Sequence, residues 1–430
     1  MIADATEATT ASGEIADRIR ALEGSGMRTF VEDPPIVWAR ASGATVVDAD
    51  GTAYLDLASS FAVAAVGHQH PAVVEAVRRQ AGELMHCSSS HPSRVRAEFY
   101  EAVASIAPPG LSRVLPAITG AMANEAALAI ARVRRPHGPV LAFQGGYFGR
   151  SAGTVGFAGK ARYRDALGIE AQARLVPYAD PIRLGDTASD VVMEALERAI
   201  AAGSSPPAAV LLEPVQGNGG VVVPAPGFLG RIRELCDRIG ALMIVDEIQS
   251  GCGRTGRMWA IEHASVTPDL VTIGKGIGGG VAVAALLGGD DVMSTLAPDA
   301  YSSTFLTNNL NLAAAVAAIG VLRDDDLPER AARLAREVAD GPVLALRELP
   351  GVGAVTHLGL WSGIRFVDDD GHPDAGRARR VAAAARADGV LVGRGGYDQE
   401  VVKIAPPLVI DEDDLAGAIG VVSAAIGTTA

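Results

Sequence analysis

The feature that most constrains this chain is a repeated alternation between short, wholly apolar, β-branched runs and longer stretches with helical spacing. Residues 140–143, 208–212, 242–245 and 270–273 each read as a strand without a polar face. Such strands leave no side for water, so they belong in a parallel sheet covered by helices on both faces. Residues 227–239 supply one such cover, because Phe228, Leu229, Ile232 and Leu235 fall on a single helical face. The expected fold class is therefore α/β, with a large, mainly parallel sheet between helices.

The flanks differ. Residues 44–57 place Asp50-Gly51 between two strand-like runs, the signature of a hairpin. Residues 310–322 have helical spacing, and the last segment alternates strand and helix signals before a helix from Asp413. A smaller α+β domain built from both chain ends is expected. Residues 1–64 would contribute its first part, residues 65–308 would form the large domain, and residues 309–430 would complete the small one.

With 430 residues, the chain can bury one large core and a satellite. Only 4% of residues are aromatic, so that core must be built from Ala, Val, Leu and Ile. A net charge of −13 without a basic stripe excludes general nucleic-acid binding, which needs cations to displace counterions. Cys87, Cys236 and Cys252 make neither a disulfide framework nor a metal-ligand spacing, and a reducing cytoplasm is the expected compartment. The opening residues lack the basic and apolar regions of a secretory signal, and no run of about 20 apolar residues predicts a membrane helix.

Ligands of open α/β sheets bind beyond the carboxyl ends of the strands. Four segments are placed there. In LVTIGKGIGGG, Lys275 follows an apolar strand and sits among glycines, where burial would favour its neutral, nucleophilic form. The competing reading is a surface lysine in a flexible loop. The stretch from Gly274 to Gly279 also satisfies G-x-G-x-x-G, which keeps a nicotinamide-dependent oxidoreductase in view. That fold needs a helix straight after the glycines, whereas VAVAALLG reads as a strand.

In LMIVDEIQ, a carboxylate at the end of a buried strand, Asp246, asks for a cationic partner such as a protonated pyridine nitrogen. Capping of the next element is the plainer alternative. In AITGAMANE, small residues open a helix, a ready site for phosphate or an ordinary helix start. In FQGGYFGR, Tyr147 could lie over a flat heteroaromatic ring or simply pack in the core.

In this order the four segments resemble the class III aminotransferases, enzymes of pyridoxal 5'-phosphate (PLP) fold type I. The resemblance covers nearly the whole chain, taking in VVDADGTAYLDL, AVGHQHPAVVEAV, TGAMANEAALAIAR, GGYFGR, LLEPVQGNGG, MIVDEIQSGCGRTG, DLVTIGKGIGGG, SSTFLTNN and KIAPPLVI. It implies that Lys275 bonds the cofactor and shuttles the proton, that Asp246 pairs with the pyridine nitrogen, and that Gln249 reaches the phenolic oxygen. It implies that Tyr147 stacks on the ring and that Gly120 and Ala121 bind the phosphate. Ser303 and Thr304 would reach the phosphate of a neighbouring subunit, making the enzyme a homodimer. Glu213 would border the substrate pocket. The implied reaction is transfer of an amino group between a donor and an aldehyde or ketone acceptor, with epimerases, racemases and decarboxylases of the same fold as the alternative.

Four positions depart from the family pattern: Met122 stands where Glu is usual, Phe148 where His is usual, and Asn309 where Pro is frequent. Lys403 in KIAPPL stands where amino-acid-specific members carry Arg. An ammonium lacks the two parallel bonds a guanidinium gives a carboxylate. The expected substrate is therefore an amine or carbonyl on a larger polar biosynthetic molecule, such as an amino sugar, with Phe148 and Lys403 near it. Asp48-Ala-Asp50-Gly51 looks like the start of a calcium loop but lacks the later ligands, and His68 with His70 lacks a third metal ligand, so no metal is expected.

Overall fold

The computed structural model describes residues 10–27, 30 and 34–429. The expectation about a leader segment falls largely on residues 1–9, outside the described residues. At the centre is a sheet of seven strands: β1 (Arg113–Ala117), β2 (Val140–Phe143), β3 (Ala173–Val176), β4 (Ala209–Leu212), β5 (Leu242–Asp246), β6 (Leu270–Ile273) and β7 (Ala284–Gly288). Their order is β1-β7-β6-β5-β4-β2-β3. The pairs from β6 to β3 are all parallel, and β7 runs antiparallel to both of its neighbours. Every residue of β2, β4, β5, β6 and β7 is buried, as the continuous apolar runs require.

The return strand β7 follows the glycines after only a short 3-10 turn, Lys275–Gly278. The helix that a dinucleotide loop needs at that point is not formed there. The two strands without a clean apolar signature, β1 and β3, lie at the edges. There Pro116 is tolerated because an edge strand has one side free of ladder bonds.

Helix α1 (Gly120–Arg134) follows β1, and α2 (Phe228–Ile239) buries Phe228, Leu229, Ile232 and Leu235 against the sheet. Phe228 meets Phe143 and Tyr178 edge-on at 5.7 and 5.5 Å. Full burial of each such side chain contributes about 1.5–3 kcal/mol. Helix α3 (Asn309–Asp324) begins one residue before the expected start. Asn309 is buried at its first turn, taking the Ser93 hydroxyl at 3.1 Å and donating to the Leu84 carbonyl at 3.2 Å, so this departure ties three segments together.

The predicted hairpin forms from Thr45–Asp48 and Ala53–Asp56, with Trp38–Ser42 on one side. On the other side Val390–Leu391 pairs in parallel with Leu55 and Asp56, joining the two chain ends. Asp48 Oδ1 accepts the N–H groups of Asp50 and Thr52 at 3.0 and 2.8 Å, which makes the apparent calcium motif a side-chain-bonded turn. A third, antiparallel sheet holds Val352–His357, Ser362–Phe366, Val401–Ile404 and Gly393–Gly395. The final helix is Glu412–Thr428, with three acidic residues opposing the positive end of its dipole. Among the described residues, no helix is long and apolar enough to cross a membrane.

Candidate active site

The carboxyl ends of the strands converge on a cavity of about 490 Å³. Of the residues singled out from sequence, Gly120, Ala121, Tyr147, Phe148, Glu213, Asp246, Gln249 and Lys275 line it. Ser303, Thr304 and Lys403 do not.

Lys275 leaves β6 with φ at +46°, a left-handed conformation costing about 1–3 kcal/mol in a side-chain-bearing residue. Gly276 follows because a Cβ there would sit 2.8 Å from Cys252 Cβ. Burial holds the Lys275 amine below its ordinary value, and the charges of Asp246 and Glu213 oppose that shift.

Asp246 ends β5 and is 4% exposed. Its Oδ2 accepts from Asn124 Nδ2 at 2.7 Å and its Oδ1 from the Ile248 N–H at 2.9 Å. Burial raises its pKa to about 6 even so, because these neutral donors and the more distant Lys275 only partly offset desolvation. Among the described residues no ammonium or guanidinium stands within ion-pair distance of it.

At the start of α1, the Thr119 hydroxyl accepts the Met122 N–H at 3.2 Å. The N–H groups of Gly120 and Ala121 have no acceptor within the helix. A Cβ on Gly120 would lie 2.5 Å from Ile248 Cδ1, so any larger residue there would have to displace the end of that side chain. Glu213 accepts the N–H of Tyr147 at 2.9 Å and that of Gly217 at 3.0 Å. Phe148 is 1% exposed and uses its carbonyl to accept from Asn124 at 3.0 Å. Met122 accepts the Tyr301 hydroxyl on its carbonyl at 2.6 Å.

Three features at or behind the cavity wall escaped sequence reasoning. Arg150 lines the cavity and lies over the Tyr163 ring at 4.5 Å, and among the described residues no carboxylate pairs with it. Tyr163 also meets the Tyr147 ring edge-on at 5.5 Å. Asn124 is wholly buried behind Asp246. Arg150 ends the GGYFGR segment already singled out, so its signal was present without a role attached.

Lys403 is 8% exposed in the strand Val401–Ile404, packed close to Gly395. Burial holds neighbouring Lys160 at about 7, and the charges of Arg162 and Lys403 act in the same direction. Lys160 donates to the carbonyls of Asn218 and Gly396 at 2.8 and 2.5 Å. The histidines have local partners: His68 bonds Asp56 at 2.9 Å, and His70 caps the helix Pro71–Glu83.

A sheet of this topology with a buried lysine and carboxylate at adjoining strand ends is the architecture of PLP-dependent enzymes of fold type I. The chain belongs to the class III aminotransferases: the family model described as Aminotransferase class-III matches residues 28–426. Class III aminotransferases are PLP-dependent, and so is this enzyme.

Among relatives, the acetylornithine aminotransferase of Methanopyrus kandleri is 38% identical over 90% of this chain and 92% of its own length. That of Mycobacterium tuberculosis is 35% identical over 97% of this chain and 98% of its own. Among solved structures, the ornithine aminotransferase of Toxoplasma gondii is 30% identical with a TM-score of 0.85, covering 98% of this chain and 96% of that one. An amine transaminase from an uncultivated Pseudomonas species, solved with PLP bound, is 27% identical with a TM-score of 0.87, covering 95% of this chain and 98% of that one.

Proposed function

We propose that the enzyme takes the amino group from a substrate of the ornithine or N-acetylornithine type, an amino acid with a carboxylate remote from the reacting amine, and delivers it to a carbonyl acceptor. The observation that carries this reading is Arg150, a guanidinium on the cavity wall without a carboxylate partner among the described residues. Its planar fork suits a substrate carboxylate. The names of the relatives favour the same class. They displace the amino sugar that Lys403 suggested, as does the position of Lys403 outside the cavity lining.

The cavity residues fit PLP. Asp246, a buried carboxylate without a cation within ion-pair distance among the described residues, is matched to a protonated ring nitrogen. The unbonded N–H groups of Gly120 and Ala121 suit a phosphate. When bound, PLP supplies an electron sink for charge developing at the substrate carbon.

In this reading Lys275 holds the cofactor through Nζ and then moves the proton at the substrate carbon. Burial lowers the pKa of its amine, which favours the unprotonated form. Asp246 would keep the ring nitrogen protonated, Gln249 would hold the phenolic oxygen, and Tyr147 would pack on the ring. Glu213 and Phe148 border the substrate side, with Phe148 making it apolar. Ser303 and Thr304 of each subunit reach the phosphate held by the other, so the working unit is a homodimer. In this reading the large domain, residues 65–308, supplies all of the cavity lining except Val63, and the described parts of the two flanking segments supply the small domain.

The test is steady-state kinetics with a 2-oxo acid acceptor across N-acetylornithine, ornithine, simple ω-amino acids and amino sugars. The highest kcat/KM is expected for N-acetylornithine or ornithine. Amino sugars outperforming them would overturn the reading.

A further inference from the structure

Asn124 lies one turn into α1, with no exposed surface, among alanines and leucine. Its Nδ2 donates to Asp246 Oδ2 at 2.7 Å and to the Phe148 carbonyl at 3.0 Å. Its Oδ1 accepts the hydroxyl of Thr272 at 2.9 Å. Thr272 is likewise fully buried and stands directly opposite Asp246 in the β5–β6 register.

An amide is nearly symmetric in shape, and what decides which end faces the carboxylate is chemistry. Among the described residues the Thr272 hydroxyl donates only to the amide oxygen, which turns the nitrogen toward Asp246. A flipped amide would set its oxygen against Asp246 Oδ2 and leave the Phe148 carbonyl without a donor. Since Asp246 Oδ1 is held by the Ile248 N–H, the carboxylate is anchored at both oxygens from the protein side.

We propose that Asn124, its amide orientation set by Thr272, is a positioning residue that aims the Asp246 carboxylate at the cofactor ring nitrogen. The proposal deepens the reading of Asp246 given above and rests on it. The arrangement joins three contact points. The helix that opens with the Gly120 turn, the strand end that carries Asp246 and the loop that presents Tyr147 all meet at one side chain.

Isosteric exchange at Thr272 separates hydrogen bonding from packing. Thr272→Val keeps the shape and removes the hydroxyl, whereas Thr272→Ser keeps the hydroxyl and removes a methyl. Two readouts apply: the dissociation constant of PLP from the protein, and the pH dependence of the absorption of the bound cofactor. Thr272→Val is expected to weaken PLP binding about tenfold and to move the pH midpoint, as loss of one charge-assisted hydrogen bond would. Thr272→Ser is expected to stay within about twofold of wild type on the same reasoning.

The reverse order, Ser damaging and Val silent, would overturn the proposal in favour of packing. Asp246→Asn separates the two levels. If it weakens PLP binding while Thr272→Val does not, the proposal alone fails. If Asp246→Asn leaves binding unchanged, the reading of Asp246 fails and the proposal with it. Should Thr272→Val not fold, Asn124→Ser carries the same two measurements, with wild-type values overturning the proposal.

Discussion

The carboxylate of Glu213 accepts the main-chain N–H of Tyr147 at 2.9 Å, clasping the end of β4 to the loop after β2. Burial and the nearby Asp246 charge raise Glu213 from an ordinary 4.5 to about 8. The folded state thus keeps a proton that the unfolded chain releases. Its stabilising contribution is complete below about 4.5 and is lost as pH rises through about 8. Asp246 and Glu247, raised by burial to about 6 and about 7, act in the same direction. Thermal melts of cofactor-free protein should fall as pH rises from about 4.5 to about 7, above which Lys160 acts in the opposite sense, and Glu213→Gln should flatten the decline. A rising melting curve would contradict this.

Lys275→Ala removes the amine while leaving the cavity walls in place. The kcat for amino transfer should drop by about 10³-fold or more, the scale for loss of a covalent and proton-moving group. Wild-type turnover by this variant would refute the assignment.

Arg150→Leu should raise KM for carboxylate-bearing donors about tenfold to a hundredfold, with kcat changed less than about threefold. Tyr163→Leu, which removes the aromatic platform under Arg150 together with the edge contact to Tyr147 and the hydroxyl bonded to Asn218, should cost about two- to fivefold in KM. Equal losses in kcat and kcat/KM would instead assign Arg150 to the chemical step.

If two copies complete each site, sedimentation should give a dimer and Thr304→Ala should weaken PLP binding about tenfold through loss of one hydrogen bond to a phosphate. A monomer with unchanged PLP affinity would contradict the shared site.

The inner strands were legible because a run buried on both faces carries almost only apolar residues. The edge strands β1 and β3 were not, since Pro116 and Arg174 interrupt the pattern where one side meets no neighbour. Gly120, Tyr147, Asp246 and Lys275 were legible because each closely follows a strand or opens a helix behind one. Asn124 was invisible: its partners Asp246 and Thr272 lie 122 and 148 positions away, and a lone Asn in an apolar helix looks like any other. Lys403 misdirected the substrate reading because its motif says where in the chain a cation lies, and folding decides which cation reaches the cavity wall.

The parallel pairing of Val390–Leu391 with Leu55 and Asp56 sets an order of events during synthesis. All seven strands of the large sheet have been synthesised once residue 288 is added. The N-terminal hairpin waits for a neighbour more than 300 positions downstream. At a translation speed of about 5–20 residues per second, that wait lasts tens of seconds. Through that interval the nascent polypeptide holds an unpaired β edge near its N-terminus, the stage at which a chaperone or a second nascent chain has most to bind.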